Sequence, residues 1–102
     1  MTTTKGIILE ANVKIDTDNA VFLELKIEGV DGWTSHHYFY SVDKIKKLFV
    51  LMRGEYKGDF GTDKLVHAHV NMLNNEGALI PHAISPWPFL DWIYNDNPLK
   101  PK

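Results

Sequence analysis

The chain contains no cysteine, and its 102 residues include no long hydrophobic run. The absence of cysteine excludes disulfide bonds, thiolate catalysis and zinc sites with cysteine ligands. No apolar stretch approaches the roughly 18 residues that a membrane-spanning helix needs. The N-terminal residues also lack the long apolar run and small-residue cleavage site of a signal peptide. We therefore expect a cytoplasmic protein that does not contact a membrane.

The chain also has little net charge. Its formal net charge is −2, with 24% charged and 44% hydrophobic residues, which is ordinary for a globular domain. A general nucleic-acid-binding protein usually carries a basic face, so this class of function is not favoured. A chain of this length forms one hydrophobic core without a structural metal. We predict a single domain over residues 1–102, with flexible ends at about residues 1–4 and 98–102.

Motifs that carry catalysis or bind nucleotides are missing from the sequence. There is no G-x-G-x-x-G, no G-x-x-x-x-G-K-[ST] and no G-x-S-x-G. Gly54, Gly58 and Gly61 follow a predicted helix, whereas a phosphate-binding loop leads into one. No two carboxylates are placed to share an apolar pocket. We predict no catalytic residue and no cofactor, and the sequence does not favour an enzyme.

Three strands are predicted in the first half of the chain. Apolar and polar residues alternate over residues 6–15 and 21–27, which is typical of half-buried strands. Four turn-forming residues, 16–19, separate them and predict a hairpin. A second turn at residues 29–32 leads into a third strand at residues 33–40, rich in aromatic residues.

A helix is predicted at residues 41–56, because apolar residues recur there every three or four positions. Ser41 is a favourable N-cap, Asp43 lies in the first turn, Arg53 lies in the last turn and Gly54 is a stop signal. The apolar stripe consists of Val42, Ile45, Leu48, Phe49, Met52 and Tyr56.

The second half of the chain is less clear. Residues 65–73 fit a helix or a strand, and we favour the strand, followed by a hairpin turn at residues 74–77 and an edge strand at residues 78–84. Ser85 and Pro86 then predict the start of a short aromatic helix. The predicted fold class is α+β, with a five-stranded antiparallel sheet, the order β-β-β-α-β-β-α, and the helices packed on one face.

Histidines are the only concentrated metal-ligand type. His67 and His69 would project from the same face of a strand, and His36 would join them if the fourth strand lay beside the third. A metal-dependent enzyme or metal sensor using His36, His67, His69 and His82 is therefore an alternative function. The competing interpretation, which we favour, is that these are solvent-facing histidines.

Aromatic residues suggest a binding surface. They are too numerous for one face of the third strand and of the last helix to bury. Either a partner covers the remaining rings, or a small aromatic-rich core closes on itself. The leading hypothesis is a small non-catalytic protein-binding module of the inhibitor, immunity or phage-accessory type, with another protein or a second copy (a homodimer) as its partner. The candidate surface comprises His36, Tyr38, Tyr40, His67, His69, Trp87, Trp92 and Tyr94.

Single-stranded nucleic-acid binding is a second alternative. Tyr38 and Tyr40 would stack on bases, while the lysines of the predicted helix would attract phosphates. The negative net charge favours a solvated helix face instead, so nucleic acid is not the expected partner.

Overall fold

A computed structural model describes residues 2–30, 32–53, 62–74, 81–87 and 91–96, with only the backbone at residues 2, 53, 74, 81 and 82. The strands are β1 (Thr2–Ile15), β2 (Val21–Gly29), β3 (Thr34–Phe39), β4 (His69–Asn74), β5 (Pro81–Pro86) and β6 (Ile93–Tyr94). Helix α1 spans Val42–Arg53, and a 3₁₀ turn spans Thr62–Lys64. The helix in the described residues is too short to cross a membrane.

The six strands form one antiparallel sheet in the order β3-β2-β1-β4-β5-β6, which curls into a half-barrel. The predicted five-stranded sheet with helices packed on one face is therefore wrong. The long strand β1 pairs with β2 along one side and with β4 along the other. It therefore joins the strands from both halves of the chain into one sheet. Residues 2–4, expected to be flexible, lie within β1, while residues 98–102 are outside the described part.

The predicted C-terminal aromatic helix is also wrong within the described residues. Ser85 and Pro86 continue β5 and pair with Asn71 and Val70 of β4. Ile93 forms β6 by pairing with Ile84, and its side chain joins the core. A serine followed by proline is a local helix signal, and here the long-range pairing of a buried strand outweighs it.

The strand predicted at residues 65–73 forms only in part. Residues 65–67 make a turn and β4 begins at His69. His67 has a positive φ of 72°, whereas residues in a β-strand have negative φ values. Leu65 is nevertheless fully buried, because the turn folds its side chain into the core. The strand predicted at residues 78–84 starts at Pro81 among the described residues, and its predicted edge position is wrong, because β5 lies between β4 and β6. The predicted hairpin turn at 74–77 lies mostly outside the described residues.

The first half of the chain follows the sequence pattern closely. The three predicted strands form with slightly different ends, and α1 begins where the capping signal places it. The backbone N–H of Lys44 lies 3.4 Å from the Ser41 hydroxyl, and that of Ile45 donates to the Ser41 carbonyl at 3.0 Å. The Lys44 bond satisfies one of the N–H groups that the first helical turn leaves without partners, and the Ile45 bond is the first main-chain bond of the helix, so the N-cap prediction is confirmed.

The core lies between the inner face of the curled sheet and α1. Alternate residues of β2, Leu23, Leu25 and Ile27, are fully buried there, with Phe39 of β3 and Leu48 of α1. Ile45, Phe49 and Met52 pack against this cluster from the helix. The stripe predicted for α1 therefore faces the core, except that Val42 is exposed and Tyr56 lies outside the described residues.

Leu9 marks an irregularity in β1. The pairing with β2 shifts between Ile8 and Glu10, so β1 carries one extra residue at this point, a β-bulge. The pairing with β4 ends just before it, at Ile7 opposite His69. The part of β1 before the bulge thus lies between two strands, whereas the part after it pairs with β2.

Candidate functional site: an aromatic surface on strands β2 and β3

The outer face of β2 and β3 carries four neighbouring rings, Phe22, His36, Tyr38 and Tyr40, which we call the aromatic surface. Phe22 lies 4.9 Å from Tyr40 and 5.9 Å from Tyr38 between ring centroids, and His36 lies 6.4 Å from Tyr38. His36 is exposed and both tyrosines are partly exposed, whereas Phe22 is buried beneath them. The tyrosines thus rest on a fixed apolar base.

Strand geometry explains why these rings lie together. Side chains two residues apart on a strand share a face, so His36 and Tyr38 point outward while His37 and Phe39 point into the core. Phe22 lies on the outer face because its neighbour Leu23 is an inner residue. Phe22 was not among the predicted surface residues. The alternation along β2 places it on the face opposite to Leu23 and Leu25, but only the strand register places it against Tyr38.

Glu24 connects the aromatic surface to the neighbouring strand β1. Its carboxylate accepts a hydrogen bond from Lys14 Nζ at 2.7 Å and another from the Tyr38 hydroxyl. The Lys14 bond is the main reason that the pKa of Glu24 lies below its usual value. Burial, and then Glu24, raise the pKa of Tyr38, so its phenol is neutral near pH 7. The surface therefore offers hydroxyl groups beside a carboxylate already bound to a lysine.

The remaining residues of the predicted surface lie elsewhere. His67 is in the turn before β4, and His69 is exposed at the start of β4. Trp87 follows β5, is 48% exposed, and has Lys5 Nζ 3.8 Å above its ring centroid. Tyr94 is exposed on β6 and Trp92 is partly exposed just before it. The structure thus joins His36, Tyr38 and Tyr40 and leaves the other five on separate elements.

The arrangement imagined for a histidine metal site is not present. Strand β4 does not lie beside β3, since β2 and β1 separate them, a distance of roughly 14 Å along the sheet. His67 is outside the strand, so it does not share a strand face with His69. Among the residues with described side chains, no three His, Asp or Glu groups come close enough to hold a metal ion. The His82 side chain is outside that set.

His37, which the sequence analysis did not single out, is fully buried. Its Nδ1 lies 3.1 Å from the Asn95 side-chain amide, whereas its Nε2 has no hydrogen-bond partner among the described residues. Burial, followed by the charge of His36, lowers the pKa of His37 to about 3. This imidazole is therefore neutral near pH 7, and it helps to position Asn95 rather than a ligand.

Two of the three lysines of α1 are paired with carboxylates. Lys44 pairs with Asp96, and Lys47 pairs with Asp91 at 3.1 Å. The aromatic surface itself adjoins the carboxylates of Glu24 and Asp16, the latter bonded to the Tyr40 hydroxyl. A phosphate backbone would meet these carboxylates, so the surroundings of the rings suit a polar, uncharged ligand better than a nucleic acid.

Comparison with known protein families, with characterised proteins and with solved structures gave no significant match to this chain.

Proposed function

We propose that the chain is a small non-catalytic module that binds another protein through the aromatic surface. The observation that supports this is the packing of Tyr38 and Tyr40 on Phe22, Tyr40 stacked and Tyr38 tilted, with both tyrosines partly exposed and His36 beside them. Tyrosine is enriched at the centres of protein interfaces because it combines a large apolar ring with a hydroxyl group and loses little conformational entropy. The cytoplasm is the compartment that we propose for this interaction.

The rings are already held in place before a partner arrives. Phe22 packs beneath both tyrosines, and the hydroxyls of Tyr38 and Tyr40 are bonded to Glu24 and Asp16. A preorganised ring pays little ordering entropy when it is covered, which is the condition for a strong contact in a small interface. A partner with an apolar pocket and main-chain carbonyl or amide groups at its rim would complement this surface.

A photo-crosslinking amino acid in place of His36 would identify the partner, and a complex of the two purified proteins would then be measured. We expect Tyr38→Ala to weaken this complex at least about tenfold, the effect of losing one interface hot spot. Val50→Ala, which shortens an exposed side chain on α1, serves as the control and should leave the affinity unchanged.

Two results would contradict the proposal. In the first, no purified protein forms a stoichiometric complex, or Tyr38→Ala binds it as tightly as the unmodified chain. In the second, the crosslinked component is an oligonucleotide whose affinity falls steeply with salt, as expected when lysines contact phosphates. That outcome would replace the protein-binding function by single-stranded nucleic-acid binding.

A further inference from the structure

Within the described part of the chain, one side of β1 has no neighbouring strand after the bulge. Towards β4, Ile8 is the last residue of β1 with main-chain bonds to described residues, donating to Ala68 and accepting from His67. From residue 10 to Ile15, β1 pairs only with β2 among the described strands. Residues 12–15 are all exposed to solvent. We call residues 10–15 on this side the free edge.

The hydrogen bonds of the hairpin turn show which main-chain groups of the free edge point away from β2. The N–H of Asp16 donates to the Ala20 carbonyl at 3.0 Å, so this pair is hydrogen-bonded across the hairpin. Successive residues of an antiparallel strand direct their main-chain groups alternately to the partner strand and away from it. Ile15, Val13 and Ala11 therefore direct their N–H and C=O groups outward, in the spacing that a further antiparallel strand requires.

Exposed β-branched side chains accompany these groups. Val13 is 58% exposed, Ile15 is 67% exposed and Val21, opposite Ile15, is 51% exposed. They continue the inner, apolar face of the sheet beyond the core. Proteins usually protect a sheet edge that is both apolar and unpaired, because it is a template for another strand.

We propose that two copies of this chain pair antiparallel through their free edges and form a symmetric dimer with one continuous sheet. The pairing is self-complementary in charge. In the register centred on Asn12, Glu10 of each copy lies directly opposite Lys14 of the other, and Ala11 lies opposite Val13 on the apolar face. In the register centred on Val13, Glu10 lies opposite Asp16 and only diagonal to Lys14, so charge favours the register centred on Asn12.

A lysine on an edge strand commonly prevents such pairing, because an added strand would bury its charge. Lys14 does not act in this way, since it is already bonded to Glu24 at 2.7 Å. Glu10 likewise lies 3.7 Å from Lys26. Pairing of two copies would extend these contacts into a row of alternating charges across four strands. The free edge lies on the far side of β1 from the aromatic surface, so the dimer does not depend on the proposed function.

A single introduced cysteine tests the pairing, because the chain has none of its own. Residues paired at a two-fold axis have Cα atoms about 4.5–5.5 Å apart, within the range that a disulfide bridges. We expect Asn12→Cys to form covalent dimers under mild oxidation and Val13→Cys to do so less. The reverse order would support the same dimer with the register centred on Val13. The control is Asp18→Cys, which lies in the exposed hairpin turn. The proposal is overturned if neither Asn12→Cys nor Val13→Cys crosslinks more than this control.

Charge-reversal variants test whether the partner of the free edge is a second copy of the chain. We expect the unmodified chain to sediment as a dimer at about 0.1 mM, and Lys14→Glu to weaken the dimer about tenfold or more, because it faces Glu10 of the second copy. Mixing it with the Glu10→Lys variant should restore a heterodimer, since the mixture again places opposite charges across the edge. This rescue separates loss of pairing from loss of folding. A monomeric unmodified chain, or a Lys14→Glu dimer of unchanged affinity, would overturn the proposal.

Discussion

Lys44 of α1 donates to the carboxylate of Asp96, which follows β6, and this pair ties the helix to the place where the two ends of the curled sheet meet. The backbone N–H of Asp96 also donates to the Tyr38 carbonyl of β3 at 2.8 Å, and its carboxylate lies 3.3 Å from the Tyr40 backbone nitrogen. Asp96 thus connects β3, β6 and α1 by three separate contacts.

Replacement of Asp96 should therefore destabilise the fold more than replacement of Lys44. We expect Asp96→Ala to lower the free energy of unfolding by about 1–3 kcal/mol, because it also leaves the Tyr40 N–H without its acceptor. Lys44→Ala should lose at most about 1 kcal/mol, as is usual for a partly exposed ion pair. Asp91→Ala breaks the more exposed pair with Lys47 and is the control, with no measurable loss expected. Urea unfolding measures all three, and equal losses for Asp96→Ala and Asp91→Ala would contradict this role.

Acid should destabilise the protein through His37. Its pKa is about 3 in the folded protein, whereas an unfolded histidine titrates near the ordinary value of 6.5. Below pH 6.5 the unfolded chain therefore takes up a proton that the folded protein does not, and stability falls by about 1.4 kcal/mol per pH unit until the pH nears 3. Between pH 6 and 5, the loss of stability comes from His37. Glu24 contributes a further loss only at lower pH, because its pKa lies below the ordinary value of 4.5.

The measurement is the urea midpoint at several pH values between 7.5 and 5. We expect His37→Leu to remove most of the pH dependence in this range, whatever its effect on stability at pH 7.5. His36→Gln, at the neighbouring exposed position, should retain it. A His37→Leu protein that still loses stability as steeply as the unmodified chain would show that another group is responsible.

Two buried serines should respond differently to loss of their hydroxyl groups. The Ser35 hydroxyl is buried and has no hydrogen-bond partner in the described part of the chain, whereas the Ser85 hydroxyl lies 3.3 Å from the Asn71 side-chain amide. Removing an unpaired buried hydroxyl relieves a desolvation penalty, while removing a paired one leaves its partner unsatisfied. We expect Ser35→Ala to be neutral or stabilising and Ser85→Ala to lose about 1–3 kcal/mol in thermal or urea unfolding. The opposite order would show that Ser35 contributes a bond that its geometry does not indicate.

Gly6 is required by close packing in the middle of the sheet. A Cβ at this position would lie 2.8 Å from Ile27 Cγ2 and 2.9 Å from the Glu28 backbone oxygen, and the backbone cannot move aside without breaking the sheet. We expect Gly6→Ala to lose about 1–3 kcal/mol of stability, as overpacked cores do. At Gly32 a Cβ meets nothing, and only the positive φ of 88° disfavours alanine. Gly32→Asn, which suits this conformation, should be tolerated; a similar loss for both variants would contradict the packing explanation.

The first half of the fold was predictable because its signals are local. Alternation of residues such as Leu23 and Leu25 with Glu24 shows which face of a strand is buried, and Ser41 marks the start of α1 by its own side chain. The second half depends on pairing between distant residues. Nothing near Ser85 in the sequence shows that it will lie opposite Asn71, so its local helix signal was misleading.

The candidate site was predictable to a similar extent. Alternation along β3 placed His36 and Tyr38 on one face, as the structure has them. It could not show that Phe22 packs beneath the tyrosines, because that contact depends on the register between β2 and β3. Nor could it show that His67 precedes its strand in a left-handed conformation, which separates it from His69.

The bulge at Leu9 has a consequence for amide hydrogen exchange. Beyond it, the amides of the exposed residues Val13 and Ile15 point away from β2, while those of Asn12 and Lys14 are bonded to β2. Deuterium should therefore enter every second position of this segment quickly and the positions between them slowly. As protein concentration rises and copies associate, the fast positions should slow, so the exchange pattern of one short stretch would record the self-association of the whole chain.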